Sequence, residues 1–433
     1  MPPDTLPAVT ARDRLRDFSR SGSSMAVSIS LANVGTYGFT VLAARILGPH
    51  EYGAVAALMA TLLVTSVLPL GLQATGARRV SSEPEQRAEI EHEVLRVGWL
   101  SAGALGVLLL VLSPLLERVL RLDSVVPAIL VALASVPLTV MGAQSGILQG
   151  ERRWPPLSAI YLALGIPRLV IGVAFILWHP TQSVAMLGIA IAALVPAVVG
   201  WLALRQPGRV RGAAPAEGVE RRHPTRDILR ETAHNSQALL AFFALSNADV
   251  VVARHALDNH LAGIYAAGLI LAKAMMFLPQ FVVVVAFPDL STAANRRQAL
   301  LKSLAVVAGI GAVGIAGAFL FRGLALVFVG GSAYAEVEDR LWLFAVLGTV
   351  LSMLQLLVYA VLARSGRRPV LLVWLAFAAV VALGMQANTV TGLLTIVLTC
   401  DSVLLAALLI TDVLRPRRLD PTIGDLPRPA AAS

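Results

Sequence analysis

The stretch VLAARILGPHEYGAVAALMATLLVTSVLPLGLQ, Val41 to Gln73, decides how the chain is read. It holds the end of one apolar segment, a tight polar turn and a second apolar segment. A weaker copy returns about 209 to 210 residues later, over Val250 to Val283. Ala44 and Arg45 match Ala253 and Arg254; Gly53, Ala56 and Ala57 match Gly263, Ala266 and Ala267; Leu68 and Pro69 match Leu278 and Pro279. From Gly to Pro the spacing is 16 in both copies. An ordered set of matches at fixed spacing is the mark of an internal repeat. It predicts two related halves with function between them.

Composition fixes the solvent. Hydrophobic residues make up 57% and charged residues 14%, with a mean hydropathy of +0.76. A soluble domain sits near half apolar and a quarter charged, so the chain reads as an all-α integral membrane protein. The net charge is +9, from 35 basic and 26 acidic side chains. The basic residues flank apolar segments, so they read as topology signals and no nucleic-acid partner is expected. The single cysteine, Cys400, excludes an intramolecular disulfide and a multi-cysteine metal site. The first apolar segment is long and carries no convincing cleavage motif, so it is expected to remain as a first span.

A spanning helix needs about 20 mostly apolar residues. Twelve segments qualify, near 25–45, 53–74, 97–117, 125–147, 157–178, 184–204, 236–255, 262–287, 300–320, 341–363, 369–387 and 391–413. With a cytoplasmic N-terminus, 27 basic residues fall on the inner side and 6 in outer loops. That bias predicts both termini in the cytoplasm of a multi-pass cell-membrane protein. The layout divides into a tail (1–24), a six-helix half (25–204), a cytoplasmic linker (205–234), a second six-helix half (235–413) and a tail (414–433). Six spans per half make the repeats parallel, related by an axis along the membrane normal. The stretch Thr225 to Glu231 reads as a short amphipathic helix on the inner leaflet. An echo at the ends of the fourth and tenth spans, Leu148 to Arg153 and Leu362 to Arg368, accords with two halves.

Within the spans lie four ionisable residues, Arg168, Asp249, Lys273 and Asp401. Each costs about 2.5–3.5 kcal/mol or more facing lipid at mid-bilayer, so a wet cavity or a partner is expected. Arg168 and Lys273 place one cation in each half, as an anionic headgroup passing between the halves would need. The structural reading pairs Lys273 with Asp401 or Asp249. The two aspartates read as coupling sites or counter-ions. Arg45 and Arg254, at matched repeat positions near the outer face, either draw a phosphate outward or snorkel to lipid phosphates. Gln73, Gln144 and Gln280, with Asn33, Tyr37, Asn247 and Gln355, suit sugar hydroxyls and equally suit helix-to-helix bonding. No Walker motif is present, so ATP hydrolysis is not encoded here. No histidine pair stands at helical ligand spacing, and His50, His179, His255 and His260 read as solvated or interfacial. No cofactor and no metal are expected.

The segment Ala43 to Gly53 resembles the AR-x-LG-x-x-x-YG signature that opens oligosaccharide flippases of the polysaccharide biosynthesis family. Asn247 to Arg254, followed by Ala262 to Ala267, is similar to their mid-chain signature. Gly330 to Tyr334, then Leu341 to Arg364, is similar to a third stretch. The similarity runs over nearly the whole chain. The family belongs to the superfamily that also contains lipid II flippases and multidrug and toxin extrusion exporters. The resemblance implies a V-shaped, exporter-type pair of six-helix lobes working by alternating access. It also implies a polyprenyl-pyrophosphate-linked glycan as substrate, carried from inner to outer leaflet for cell-surface polysaccharide. Expected partners are that lipid-linked glycan, membrane lipids and the glycan polymerase or ligase machinery. One departure stands out: many oligosaccharide flippases have fourteen spans, against twelve here.

A cation-coupled multidrug exporter of the same superfamily is the competing reading. That class is expected to centre on acidic residues in one lobe; the N-terminal half has none well inside a span, while Asp249 and Asp401 keep the reading open. A membrane glycan polymerase or ligase would need a large outer loop. The longest outer loop, about 321–340, has room only for a turn or small helix, so an enzyme is not expected.

Overall fold

The fold opens on a 58-residue apolar run, Met25–Ser82. Laid straight it would reach about 87 Å at 1.5 Å per residue, far beyond a hydrocarbon core of about 30 Å. The chain therefore turns back, at Gly48, whose φ of 71° and ψ of 174° leave the helical region. Glycine adopts that φ without the Cβ clash that penalises other residues. Pro49 follows at the first position of the new helix, where a missing N–H leaves nothing unpaired.

The computed structural model describes residues 22–206, 225–276, 296–362 and 367–414. Helix α1 (Gly22–Thr65) holds both arms of this turn. After Ser66, α2 (Val67–Ser82) continues, then α3 (Arg87–Leu120), α4 (Val126–Gly150), α5 (Trp154–Trp178) and α6 (Gln182–Leu204) complete the first half. The second half comprises α7 (Thr225–Ala256), α8 (Asn259–Met275), α9 (Arg296–Leu320), the short α10 (Arg322–Val329), α11 (Leu341–Leu362), α12 (Arg367–Gly384) and α13 (Val390–Leu408). No strand occurs among the described residues. Nine segments among them are long and apolar enough to cross a membrane, the first of these twice through its turn. Helices α8 and α12 lie over the two remaining expected spans. Three helices start on side-chain caps: Thr181 Oγ1 accepts from Val184 N–H, Asp258 Oδ1 from Leu261 N–H and Thr389 Oγ1 from Gly392 N–H. Such caps satisfy backbone donors that a helix start leaves without partners.

Several expected boundaries change. The third span is the apolar part of a 34-residue helix that begins at Arg87. Thr225 to Glu231 is not a separate surface helix but the first turns of α7, continuous to Ala256. Glu231 there accepts from Arg78 Nε at 2.8 Å and Arg79 Nε at 3.0 Å, so its place is fixed by the end of α2 rather than by a lipid surface. The outer stretch near 321–340 holds α10 and a short 3-10 helix, Ser332–Arg340. The eighth expected span is described only as far as Met276, and Gln280 and Pro279 lie outside the described residues.

In the first half α1 packs on α5, α2 and α3 on α4, and α6 on α4 and α5. In the second, α7 packs on α12, α8 and α9 on α11, and α13 on α11 and α12. The halves meet where α1 packs on α7 and α8, and where α2 and α3 pack on α7. The start of α1 marks one face of the bundle, the basic face; the turn at Gly48 marks the far face.

Candidate functional site

Arg168 follows Pro167 inside α5. Its Nη2 lies against Met59 Sδ on the second arm of α1, and its Nε has no hydrogen-bond partner among the described residues. No carboxylate among them pairs with it. A guanidinium inside a span without an acid beside it is costly unless an anion or water completes its hydrogen bonds.

Lys273 and the two aspartates gather in the second half. Lys273 Nζ donates to Asn247 Oδ1 at 3.0 Å. Asn247 in turn donates through Nδ2 to Phe243 O at 2.9 Å, which fixes its oxygen toward the lysine. The expected ion pair with Asp249 or Asp401 is therefore not made: neither carboxylate lies within 4.0 Å of the ammonium. Asp249, 2% exposed, is held by its neighbours instead. Its Oδ1 accepts from Val250 N–H at 2.8 Å and its Oδ2 from Tyr265 Oη at 3.2 Å. Asp401, 1% exposed on α13, leaves Oδ1 without a partner among the described residues. Asp249 lies within electrostatic reach of both Lys273 and Asp401. The sequence identified these groups as lone intramembrane charges, but only folding shows that a neutral amide was selected for the lysine.

Beside Asn247 runs a cavity of about 400 Å³ between α1, α3, α7 and α12, walled by Val64, Val119, Phe377, Val381 and Met385. Asn247 and His255 are its polar lining. A wall this apolar excludes a charged group and admits a hydrocarbon chain.

The matched arginines do related work at the far face. Arg254 is fully buried; its Nε donates to Leu120 O and its Nη2 to Arg121 O, both at 2.8 Å. It thus caps the C-terminus of α3, where carbonyls lack intrahelical donors and the helix dipole favours a cation. Arg45 donates to Val327 O near the end of α10. Each arginine reaches across to the other half and ends on main-chain carbonyls. This corrects the snorkelling reading of Arg254, since a fully buried guanidinium cannot meet lipid phosphate. Two of the glutamines, Gln73 and Gln144, stay in the first half. Gln73 Nε2 donates to Gln149 Oε1 at 2.8 Å and Tyr161 Oη at 2.9 Å, joining α2, α4 and α5. Gln144, 4% exposed, keeps Oε1 without a partner among the described residues, against Gly200 of α6. Among the described residues no hydrogen bond joins Arg168, Gln73 or Gln144 to the group around Lys273.

Tyr37, named from the sequence as suited to helix-to-helix bonding, donates its Oη to Ile270 O at 3.2 Å across the seam. Sequence reading missed two other seam contacts: Tyr334 Oη donates to Ala44 O at 2.7 Å and Arg121 Nη1 to Leu257 O at 3.0 Å. Their partners are carbonyls, which carry no sequence signal.

Residues 19–294 match the family described as polysaccharide biosynthesis protein, well over half of the chain, and the chain belongs to that family. No curated protein matches it by sequence. Among solved structures it is similar to the lipid II flippase MurJ in an inward closed conformation, at 12% identity and a TM-score of 0.68, covering 89% of this chain and 87% of that one. It is similar to the inward-facing conformation of a multidrug resistance MATE family transporter of the MOP superfamily, at 14% identity and a TM-score of 0.65, covering 89% and 96%. An outward-facing conformation of such a transporter matches at 14% identity and a TM-score of 0.60, covering 90% and 93%. At these identities the likeness shows a common fold, that of the transporters and flippases of this superfamily.

Proposed function

We propose that this member of the polysaccharide biosynthesis family is a flippase that carries a polyprenyl-pyrophosphate-linked oligosaccharide from the inner to the outer leaflet by alternating access. The observation that carries the reading is Arg168, an intramembrane guanidinium with no acidic partner among the described residues. A pyrophosphate carries about two negative charges, and hydrocarbon excludes it. The planar fork of Arg168 offers bidentate contact to a phosphate, and Lys273 acts as a point charge in the other half. Neutral amides such as Asn247 suit sugar hydroxyls. The apolar cavity beside Asn247 suits the prenyl chain of the same molecule.

The orientation that accompanies this reading puts the basic face and both termini in the cytoplasm of the cell membrane. Closure of the far face by Arg45, Arg254 and Tyr334 then describes a state that loads from inside. The greater likeness to the inward-facing than to the outward-facing exporter agrees with it. Release outward requires those contacts to part.

The test is complementation of glycan display in a flippase-deficient cell, with membrane levels checked by blotting. Arg168→Ala and Lys273→Ala each remove most activity and Arg168→Lys impairs it, all at normal levels. Full complementation by the Arg168→Ala, Lys273→Ala double variant overturns the reading.

A second reading, a cation-coupled drug exporter, rests on the two buried carboxylates Asp249 and Asp401 in one half. Efflux of a cationic dye that follows an ion gradient and stops in Asp249→Asn would favour it.

A further inference from the structure

We propose that His50, Glu51 and Asp123 form a binding site for a divalent first-row transition-metal ion of the Zn²⁺ type at the far seam. One ligand atom from each lies within 4.8 Å of the other two. The three come from the turn after Gly48 and from the segment between α3 and α4, so no local motif announces them.

The internal geometry suits an ion better than a hydrogen-bonded cluster. His50 Nδ1 and Glu51 Oε1 stand 3.6 Å apart. That is long for a hydrogen bond but close to the spacing of about 3.4 Å between ligand atoms around tetrahedral zinc. The other oxygen of each carboxylate is anchored by Gln182. Its backbone N–H donates to Glu51 Oε2 at 2.6 Å and its Nε2 to Asp123 Oδ2 at 2.5 Å. Among the described residues neither Glu51 Oε1 nor Asp123 Oδ1 takes a hydrogen bond, so each is open to a ligand.

A second observation points the same way. Gln182 is 2% exposed and its carboxamide is turned onto Asp123, yet its Oε1 has no partner among the described residues. The buried amide that reaches this cluster is thus left with an acceptor short of a donor, which costs free energy. The histidine is also held from behind. Its Nε2 lies 3.2 Å from Asn259 Nδ2, while Asn259 Oδ1 has no partner among the described residues. With a metal on Nδ1 the ring proton resides on Nε2, and a half-turn of the Asn259 amide presents Oδ1 to accept it. That is the usual way a second residue fixes a ligating imidazole.

The nearby arginines do not neutralise the carboxylates directly. Arg254 and Arg121 direct their forks at the carbonyls of Leu120, Arg121 and Leu257, and no arginine pairs with Glu51 or Asp123 within 4.0 Å among the described residues. One imidazole nitrogen with two carboxylate oxygens suits Zn²⁺ or Mn²⁺. The imidazole disfavours Ca²⁺ and Mg²⁺, which take oxygen ligands.

The full-length protein, purified in detergent and stripped with chelator, is titrated with Zn²⁺ by calorimetry, with Ca²⁺ as control. One Zn²⁺ binds per chain, and His50→Gln or Asp123→Asn weakens it by about tenfold or more. Both residues are exposed, so these variants are expected to keep the wild-type elution profile. Absence of saturable Zn²⁺ uptake below about 1 mM, or unchanged uptake in the double variant, overturns the proposal. If the variants do not purify, mass-spectrometric mapping of diethyl pyrocarbonate modification on the native chain decides. His50 shielded by Zn²⁺ but not by Ca²⁺ supports the site, and His50 equally reactive with and without Zn²⁺ overturns it.

Discussion

Gly53 and Gly263 meet backbone to backbone across the seam: a Cβ on Gly53 would stand 2.9 Å from Gly263 Cα. These are the two glycines that the internal repeat matches. Their neighbours His50 and Asn259 also face one another, at 3.2 Å. Residues beside an axis that relates two halves are the ones that touch their own counterparts. Contacts of this kind are what an axis between two repeated halves would produce at the far face.

Gly263→Ala is expected to prevent this closure. Its new methyl would stand 1.8 Å from Pro49 O, a backbone atom with no freedom to yield. Overpacking of this kind costs about 1–3 kcal/mol. Thermal melting should fall, and spin-label distances across the far face should lengthen. Gly309→Ala, where a methyl meets nothing within 4 Å, serves as the neutral control. Equal behaviour of the two variants would show that the seam does not depend on this approach.

Arg254→Met is expected to destabilise the protein far more than Arg45→Met, although sequence makes the two arginines equivalent. Arg254 is fully buried and serves two carbonyls of α3, so its loss leaves buried acceptors without a donor, at about 3 kcal/mol. Arg45 is exposed, and water replaces it at a cost below about 1 kcal/mol. Melting curves of both variants in one detergent decide the matter.

Asn247→Asp puts a carboxylate where Lys273 Nζ now finds an amide oxygen at 3.0 Å. The fold should survive, since the bond is kept and a salt bridge added. Transport should not survive, because the cation is neutralised. Glycan display at wild-type level in this variant would remove Lys273 from the headgroup path.

Asp401→Asn separates stability from coupling. Asp401 Oδ1 is buried and has no partner among the described residues, so removing the charge leaves melting unchanged or raises it. Transport lost at undiminished stability would identify Asp401 as a coupling site. Transport retained would make it a structural remnant of the second half.

Much of this molecule was legible without coordinates. The membrane class, the helical segments and the turn at Gly48-Pro49 follow from composition and local chemistry, which act over one or two helical turns. The expectation of a repeat came from sequence as well, because the matched residues keep their spacing along the chain. The isolation of Arg168 could be anticipated from the scarcity of acids in its half. What Lys273 bonds to could not, for two aspartates and one asparagine stood equally available along the sequence.

Tertiary structure alone decided that choice. It also decided that Arg254 caps a helix 133 residues away and that Gln182 anchors Glu51 and Asp123 from two other segments. The physical reason is common to all three. Periodicity and hydropathy report how each helix meets its solvent. A buried polar atom is satisfied by whichever donor or acceptor the packing of distant helices brings within about 3 Å, and that donor or acceptor is often a carbonyl that every residue carries.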